Sequence, residues 1–431
     1  MIRKTATAVC GAAVLAVGMT GCASTFEGSG SKDAASAEQL ALRLDDPWAQ
    51  EAPADAQAKA AGVKTGEALW EARAKCPGLV VVPPRYDVYQ RYSRLARRIY
   101  YDYTDLVEPF GLDECWLDLT GSLPLLGGDA VRTATEISGR VKAELGCTVS
   151  VGVSWNKIFA KFGSDFRKPD AITFITPQNY RCRVWEAPVS ELLYVGAATR
   201  AKLHSSGIDR IGELACASPE LLRRRLGKIG LVLRAFARGE DATPVKPYDQ
   251  ARNEVDRTVK SFGNGLTAPH DIVSASDAKA LVYLLSESVA QRLREARFRA
   301  STVSIGVRSA RDLASYSRQT TLRRATNVTG IVARTAWGLL AANEPLDGEH
   351  PLRGLHVRAS NLEPCDAPQQ LELAFDARRR MLEDLDETID DLRRRFGNTC
   401  IQRGAELLDE SLLGLDIKKE NVVHPVGYFY D

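Results

Sequence analysis

The chain has 431 residues, 45% apolar and 26% charged, with 57 Lys and Arg against 55 Asp and Glu. These proportions are globular and exclude a wholly disordered, collagen-like or coiled-coil chain; at about 150 residues per domain they leave room for roughly three domains. The formal net charge of +2 speaks against a dedicated nucleic-acid binder only as a whole-chain sum, which hides local asymmetry. Nine cysteines (10, 22, 76, 115, 147, 182, 216, 365, 400) form no C-x-x-C pair, and none of the five histidines sits in an H-E-x-x-H pattern. Reduced thiols, rather than a disulfide framework or a zinc site, follow from that scatter.

Residues 1–24, MIRKTATAVCGAAVLAVGMTGCAS, carry a basic start and an apolar run from Ala8 to Met19, then end on Thr20-Gly21-Cys22. The run is too short to span a bilayer but suits a secretory h-region. Its Gly-Cys end resembles a bacterial lipoprotein signal, in which Cys22 would be lipidated. Residues 24–36, rich in Ser, Gly, Lys and Asp, read as a tether. The other reading of this start is a misplaced or rearranged coding sequence.

Further along, residues 37–62 are weakly patterned. A helix is expected over Ala68–Ala74, broken by Cys76-Pro77-Gly78, then a short strand over Leu79–Val82. A helix over Asp87–Thr104 places Arg91, Arg94, Arg97 and Arg98 on its polar side. Strands near Val107–Phe110 and Cys115–Leu119 flank an acidic turn; a helix over 129–145 and a strand over Thr148–Val153 follow. Two β-α-β-like halves predict a split βαβ, ferredoxin-like sheet. Residues 190–240 read as short helices with Gly turns, 255–360 as mixed strand and helix, and the stretch after Pro368 as mostly helical.

The acidic turn, Phe110-Gly111-Leu112-Asp113-Glu114-Cys115-Trp116-Leu117-Asp118, sets three carboxylates among strand formers. Adjacent Asp113 and Glu114 are costly to bury without a cation. At a hairpin end they can converge on Mg²⁺, which prefers a few carboxylates together with substrate phosphates. In two-metal phosphoryl transfer such ions activate the attacking oxygen and stabilise the leaving one. The bland alternative is a solvated acidic hairpin.

GLDECWLDLTGS followed by VSVGVSWNKIFAKFGSDFRKPDAITFI resembles the palm of a Y-family, lesion-bypass DNA polymerase, with the bacterial polymerase IV branch the closer likeness. VSELLYVGAATRAKLHSSGIDRIGELA, VKSFGNGLTAPHDIV, IQRGAELLD and HPVGYFY extend the resemblance over about residues 62–431. It implies that Asp113 and Glu114 bind catalytic metal and that Asp118, the third acid of the strand, is structural. Lys168 would contact the incoming triphosphate, with Lys157 and Lys161 beside it; a compact ammonium suits non-bridging phosphate oxygens. Read without the family, these three lysines are solvated helix charges.

The family's first strand carries another metal-binding Asp, followed by a bulky gate against ribonucleotides, and its fingers supply an aromatic/Arg pair. In this chain those should lie upstream of Gly62-Val63-Lys64-Thr65-Gly66, and they are missing. The strand-like candidate there is Leu40–Asp46, where Asp45 could imitate the ligand. A two-ion Mg²⁺ site lacking one carboxylate should hold metal weakly and place the 3′-hydroxyl poorly.

Nine arginines against Glu295 and Asp312 lie within residues 290–325. This region resembles the little finger, which grips duplex phosphates; Lys260, Ser261, Arg308, Arg318, Arg323 and Arg324 are the expected contacts. Val195-Gly196 and Gly207-Ile208 resemble a helix-hairpin-helix whose turn at Gly196 caps a phosphate, with Tyr194 where many relatives have Gly. From Gln370 to Asp431, 14 acids face 9 bases. There Gln370, Leu371, Leu373 and Phe375 resemble a peptide that binds the bacterial sliding clamp, the three apolar side chains acting as anchors. As a plain reading, the segment is the start of a helix over 375–396.

The expected fold is α+β, with five parts: an unrelated N-terminus (1–61), residual fingers and a ferredoxin-like palm with its first strand replaced (62–187), and a helix-hairpin-helix thumb (188–245). An α/β little finger (250–362) and a helical tail (363–431) complete it. The expected activity is template-directed translesion synthesis on primer–template DNA from deoxynucleoside triphosphates, by a cytoplasmic monomer. The alternatives are an inactive DNA- and clamp-binding remnant and a protein lipid-anchored through Cys22.

Overall fold

A computed structural model describes residues 14–20, 58–64, 69–81, 85–249, 254–255, 259–368 and 376–404. The chain divides into two compact units, with the division in sequence between Asp256 and Arg257.

The first unit is built on a five-stranded sheet. Its strands are β1 (Val14–Thr20), β2 (Val107–Pro109), β3 (Glu114–Asp118), β4 (Thr148–Ser154) and β5 (Ile172–Phe174), in the order β2-β3-β1-β4-β5. The strand expected to be lost is therefore present, and it is central. It is made by the apolar run that reads as an h-region, not by Leu40–Asp46, which lies outside the described residues. The physical reason is that VLAVGMT is uncharged and rich in strand formers, as a strand buried on both faces must be. β1 is antiparallel to β3, with Val14 opposite Asp118 and Gly18 opposite Glu114, and to β4, with Leu15 opposite Val153. Leu15 and Val17 pack with Leu117, Val149 and Val151 under helices α2 (Tyr86–Tyr101) and α3 (Ala130–Leu145), which supply Ile99, Ile137 and Val141. Val14 and Ala16 face the other way, onto Trp116 and onto Ala160 of α4 (Lys157–Phe166).

A short helix α1 (Leu69–Lys75) precedes α2. The strand expected from Leu79 does not form over 79–81: the Leu79 N–H donates to the Cys76 carbonyl, continuing the Pro-Gly turn, and Val80 and Val81 stay exposed. Arg97 is a second correction. It is buried on α2 rather than solvated, and it donates to Ser93 Oγ at 3.0 Å.

Short helices α5 (Ala197–His204), α6 (Ile211–Cys216), α7 (Pro219–Leu226) and α8 (Lys228–Ala237) then bury Leu203, Ile211, Leu214, Leu222 and Leu233 in one cluster with Phe159 and Phe162 of α4. A two-residue ladder, β6 (Tyr248–Asp249) with β7 (Glu254–Val255), ends the unit.

The second unit is a four-stranded antiparallel sheet, β8 (Ser261–Ile272), β9 (Phe298–Ser309), β10 (Ser315–Thr326) and β11 (Leu352–Pro364), in the order β10-β9-β11-β8. Helices α9 (Ala275–Glu295) and α10 (Thr329–Ala341) cover one face, where Leu281, Leu285, Val332 and Ala336 meet Val303, Ile305, Val307 and Val357. The tail helix α11 (Asp376–Phe396) belongs to this unit. Its Asp390 and Asp386 accept from Arg294, its Arg393 pairs with Glu287 at 2.7 Å, and Arg403 bonds both Glu287 and Asp386. These charges are largely buried, and burial is tolerable because each one has an opposite partner.

Candidate active site and nucleic-acid interface

The acidic turn closes the β2–β3 hairpin, the Phe110 N–H donating to the Glu114 carbonyl at 2.8 Å. Gly111 makes the reversal at a φ of 85°, a conformation that L side chains resist. Beneath the turn, Ser93 Oγ donates to the Leu112 carbonyl and itself accepts from buried Arg97, so a cation underlies the acidic pair. Asp113 is exposed, whereas Glu114 is partly buried and accepts from Lys161 Nζ at 3.0 Å.

That lysine is shared. Lys161 also bonds Asp165 one helical turn on, and Asp165 accepts from Lys168 at 2.7 Å. Burial pushes the Glu114 carboxyl up, against the pull of the Lys161 charge and with the push of Asp113. Burial would also raise Asp165, but its hydrogen bonds from Lys161 and Lys168 outweigh it and hold that carboxyl low. For Lys161, burial works to lower the ammonium; its bond to Asp165 and the two carboxylate charges outweigh it, and the net direction is up. Burial takes the neighbouring Cys115 thiol up to about 12, so it stays an inert core group.

The structure thus brings Glu114, Lys161, Asp165 and Lys168 into one charged chain. Lys157, expected beside the triphosphate, is not in it. Its ammonium is buried against Glu108 at 2.6 Å and over the Trp116 ring at 4.4 Å, while Trp116 donates to the Lys157 carbonyl. Asp118 lies at the far end of β3 and accepts from the Thr120 N–H at 2.9 Å, holding the following turn. Asp165 could have been found in the sequence, since it stands four residues after Lys161 on a helix. Glu108 and Arg97 had no local signal, because their partners come through the fold.

Whether these residues fit two metal ions can be read from the donors. Glu114 is tied to an ammonium, Asp165 to two, and β1 brings no carboxylate; the residue opposite Glu114 is Gly18. Among the described residues, the one grouping of three potential ligands within mutual reach is the exposed Asp347, Glu349 and His350, in the other unit. The acidic turn does not fit a two-ion centre as it stands.

For DNA contact, Gly196 is the extended N-cap of α5, and Tyr194 before it adopts a φ of 71°. A glycine at that position would accept the left-handed backbone without cost. In the second unit, Ser261 lies opposite Ser360, and Arg308 opposite Gly354 and Ser315; Lys260, Arg308 and Arg323 are exposed. Arg318 is opposite Ile305, a core position, and so lies on the helix-covered side of the sheet. There it donates to Asn343 at 3.2 Å and stacks over Tyr316 at 4.7 Å. Arg324 is half-buried. Gln370, Leu371, Leu373 and Phe375 lie outside the described residues, as does Cys22.

Comparison with known proteins bears on both units. Residues 52–165 match the impB/mucB/samB family, and residues 259–373 match the C-terminal domain of that family. The chain is 45% identical over 356 residues to a DNA polymerase IV of Acetivibrio thermocellus, covering 82% of this chain and 87% of the relative. It is 34% identical over 355 residues to DNA polymerase IV 1 of Bacillus subtilis, covering 82% and 83%. Among solved structures, a Y-family DNA polymerase chimera superposes with a TM-score of 0.61 at 18% identity, over 81% of this chain and 98% of that one.

Proposed function

This chain belongs to the Y-family DNA polymerases, in the DNA polymerase IV group, and from that membership we propose a lesion-bypass polymerase whose nucleotidyl transfer is impaired at its metal centre. The observation that carries the reading is the Asp113–Glu114 turn opposite Gly18 on the central strand of the palm sheet. The turn supplies the acidic end of the sheet, and Lys168 and Lys161 supply cations for an incoming triphosphate. With no carboxylate from β1, Asp113 and Glu114 alone would hold the metal, and a reacting 3′-hydroxyl would be poorly placed there.

The remaining parts follow from that reading. Gly196 and the arginines Arg308 and Arg323 would hold duplex phosphates, and Lys260 and Ser261 the approach to the β8 edge. Gln370, Leu371, Leu373 and Phe375 would dock a sliding clamp, on the sequence motif alone. Magnesium is the metal of choice for Asp113 and Glu114, and the cytoplasm is the compartment where such a template is found.

Primer extension with the purified full chain and Mg²⁺ tests it. Slow template-dependent incorporation that disappears in Asp113→Ala supports the polymerase. No incorporation with primer–template binding intact establishes the second reading, a non-catalytic DNA-binding remnant, which the Lys161-bound state of Glu114 favours.

A further inference from the structure

The face of the second sheet opposite α9 and α10 carries an arrangement that nothing above uses. On β11, His356 is opposite Gly265 of β8 on one side and Gly306 of β9 on the other. A Cβ built on Gly265 would stand 2.9 Å from the His356 Cδ2, and one on Gly263 would stand 2.9 Å from its Cε1 and 3.0 Å from its Nε2. One on Gly306 would come within 3.3 Å of the His356 Cβ. Three glycines on the two neighbouring strands thus clear a bed, and the imidazole lies down across β8 rather than standing up from the sheet. Glycines weaken strands, so three around one ring ask for a reason. A face kept this low lets another backbone approach closely.

Its chemistry selects an anionic chain. Arg358 follows two residues on, opposite Gly263 and Ser304, and Arg308 lies two residues from Gly306. Neither guanidinium has a partner among the described residues, and the imidazole has no hydrogen bond to any of them. The positions level with His356 and Arg358 on β8, β9 and β10 are Gly, Ser and Gln, with no carboxylate. Burial against the sheet, then the Arg358 charge, hold the ring below its ordinary 6.5.

The geometry points to His356 as a contact for the DNA sugar–phosphate backbone, its ring forming the floor of the site between the guanidinium-bearing positions Arg308 and Arg358. This deepens the DNA-binding reading above and rests on it. A phosphate against the ring favours its protonated form, so binding takes up a proton there as the pH falls. Among the described residues, the charged groups level with it on the sheet are Arg358 on its own strand and Arg308 on β9, with none on β8 or at Ser317 and Gln319 of β10.

The test is the affinity of the full chain for a primer–template duplex, by fluorescence anisotropy between pH 8 and 5.5 at fixed ionic strength. For the parent, affinity should rise as the pH falls. His356→Ala should weaken binding roughly threefold to tenfold at the acid end, the scale of one net hydrogen bond, and flatten the profile. Gly265→Ala, which keeps the histidine but fills its bed, should act in the same direction, and His356→Phe should keep the floor while losing the pH response. Unchanged affinity and profile in His356→Ala and Gly265→Ala, with Arg308→Ala and Arg358→Ala both weakened, overturns the role of His356 and leaves the DNA reading standing. A parent that fails to bind duplex at low salt overturns both.

Discussion

At the acidic turn, the carboxylate of Glu114 is held by a neighbouring ammonium. Burial raises its carboxyl, and the Lys161 ammonium at 3.0 Å is what makes its ionised form tolerable. A divalent cation would have to displace that lysine or share the carboxylate with it. Gly18 explains why nothing else helps, since it lies level with Glu114 on the adjacent strand and carries no donor. Residues opposite one another on paired strands share a face, so a carboxylate at 18 would stand beside Glu114. Gly18→Asp should therefore raise Mg²⁺-dependent primer extension by about tenfold or more, since even outer groups of metal sites act on that scale. An unchanged rate would show that the missing ligand does not limit the reaction. Asp165 gives a pH signature. Its carboxyl is held below the ordinary 3.8, so its contribution to stability is complete above that pH and is lost as the pH falls through its lower native value. Asp165→Asn should be less stable than the parent in urea at pH 7, and the gap should close toward pH 3. A gap independent of pH would mean that the Lys161–Asp165 pair contributes nothing. Of these residues, Asp113, Glu114 and Lys161 were singled out in the sequence by the motif, whereas Asp165 was not. Lys157 was misplaced because its partner, Glu108, is 49 residues away and reaches it only through the fold.

β1 is the element on which two readings of one segment separate. Seven residues without charge satisfy an export h-region and a doubly buried strand equally well, and nothing within the segment distinguishes them. The sheet does. β3 and β4 each present a full ladder to β1, and Leu15 and Val17 are 0% and 1% exposed between two helices and two strands. The alternating pattern of Leu40–Asp46 attracted the strand assignment because alternation signals a half-buried strand, whereas a central strand is apolar on both faces. The helices were legible almost to the residue: 129–145 forms over Ala130–Leu145 and 375–396 over Asp376–Phe396. Their apolar spacing and caps are local, as where Asp129 accepts from the N–H groups of Val131 and Arg132. Leu15→Ala should cost about 2–5 kcal/mol in equilibrium unfolding of the first unit, the range for a truncated core leucine. A cost below about 0.5 kcal/mol, typical of a surface position, would remove β1 from the core and return the segment to its export reading. Gly152 on β4 fixes the opposite boundary of the same layer. A Cβ there would stand 1.9 Å from the Ala160 carbonyl oxygen, so α4 and β4 approach as closely as they do only because this residue is glycine.

Across the whole molecule, the net charge of +2 is an average of surfaces that behave differently. The arginine-rich stretch 290–325 is not a single basic face. Arg294 is spent within the fold, binding Asp386 and Asp390 of the tail helix, and Arg292 donates to the Gly263 carbonyl. Arg318 is turned to the helix side of its sheet, and Arg311 donates to the Glu349 carbonyl. Within the described part of the acidic tail, Asp386 and Asp390 serve as partners for the buried Arg294. The cations left on the open face, led by Arg308 and Arg358, are fewer than a count along the sequence suggests, because strand register decides which side each arginine takes. Salt dependence separates the two groups. Each phosphate neutralised by a cation contributes about 0.9 to the slope of log affinity against log salt on duplex DNA. Arg308→Ala should lower that slope by about one, while Arg318→Ala should leave it at the parent value and lose only the local contacts with Asn343 and Tyr316. Equal slopes for Arg308→Ala and the parent would take the open face out of the DNA path, and a reduced slope for Arg318→Ala would place the duplex on the helix side of the sheet instead.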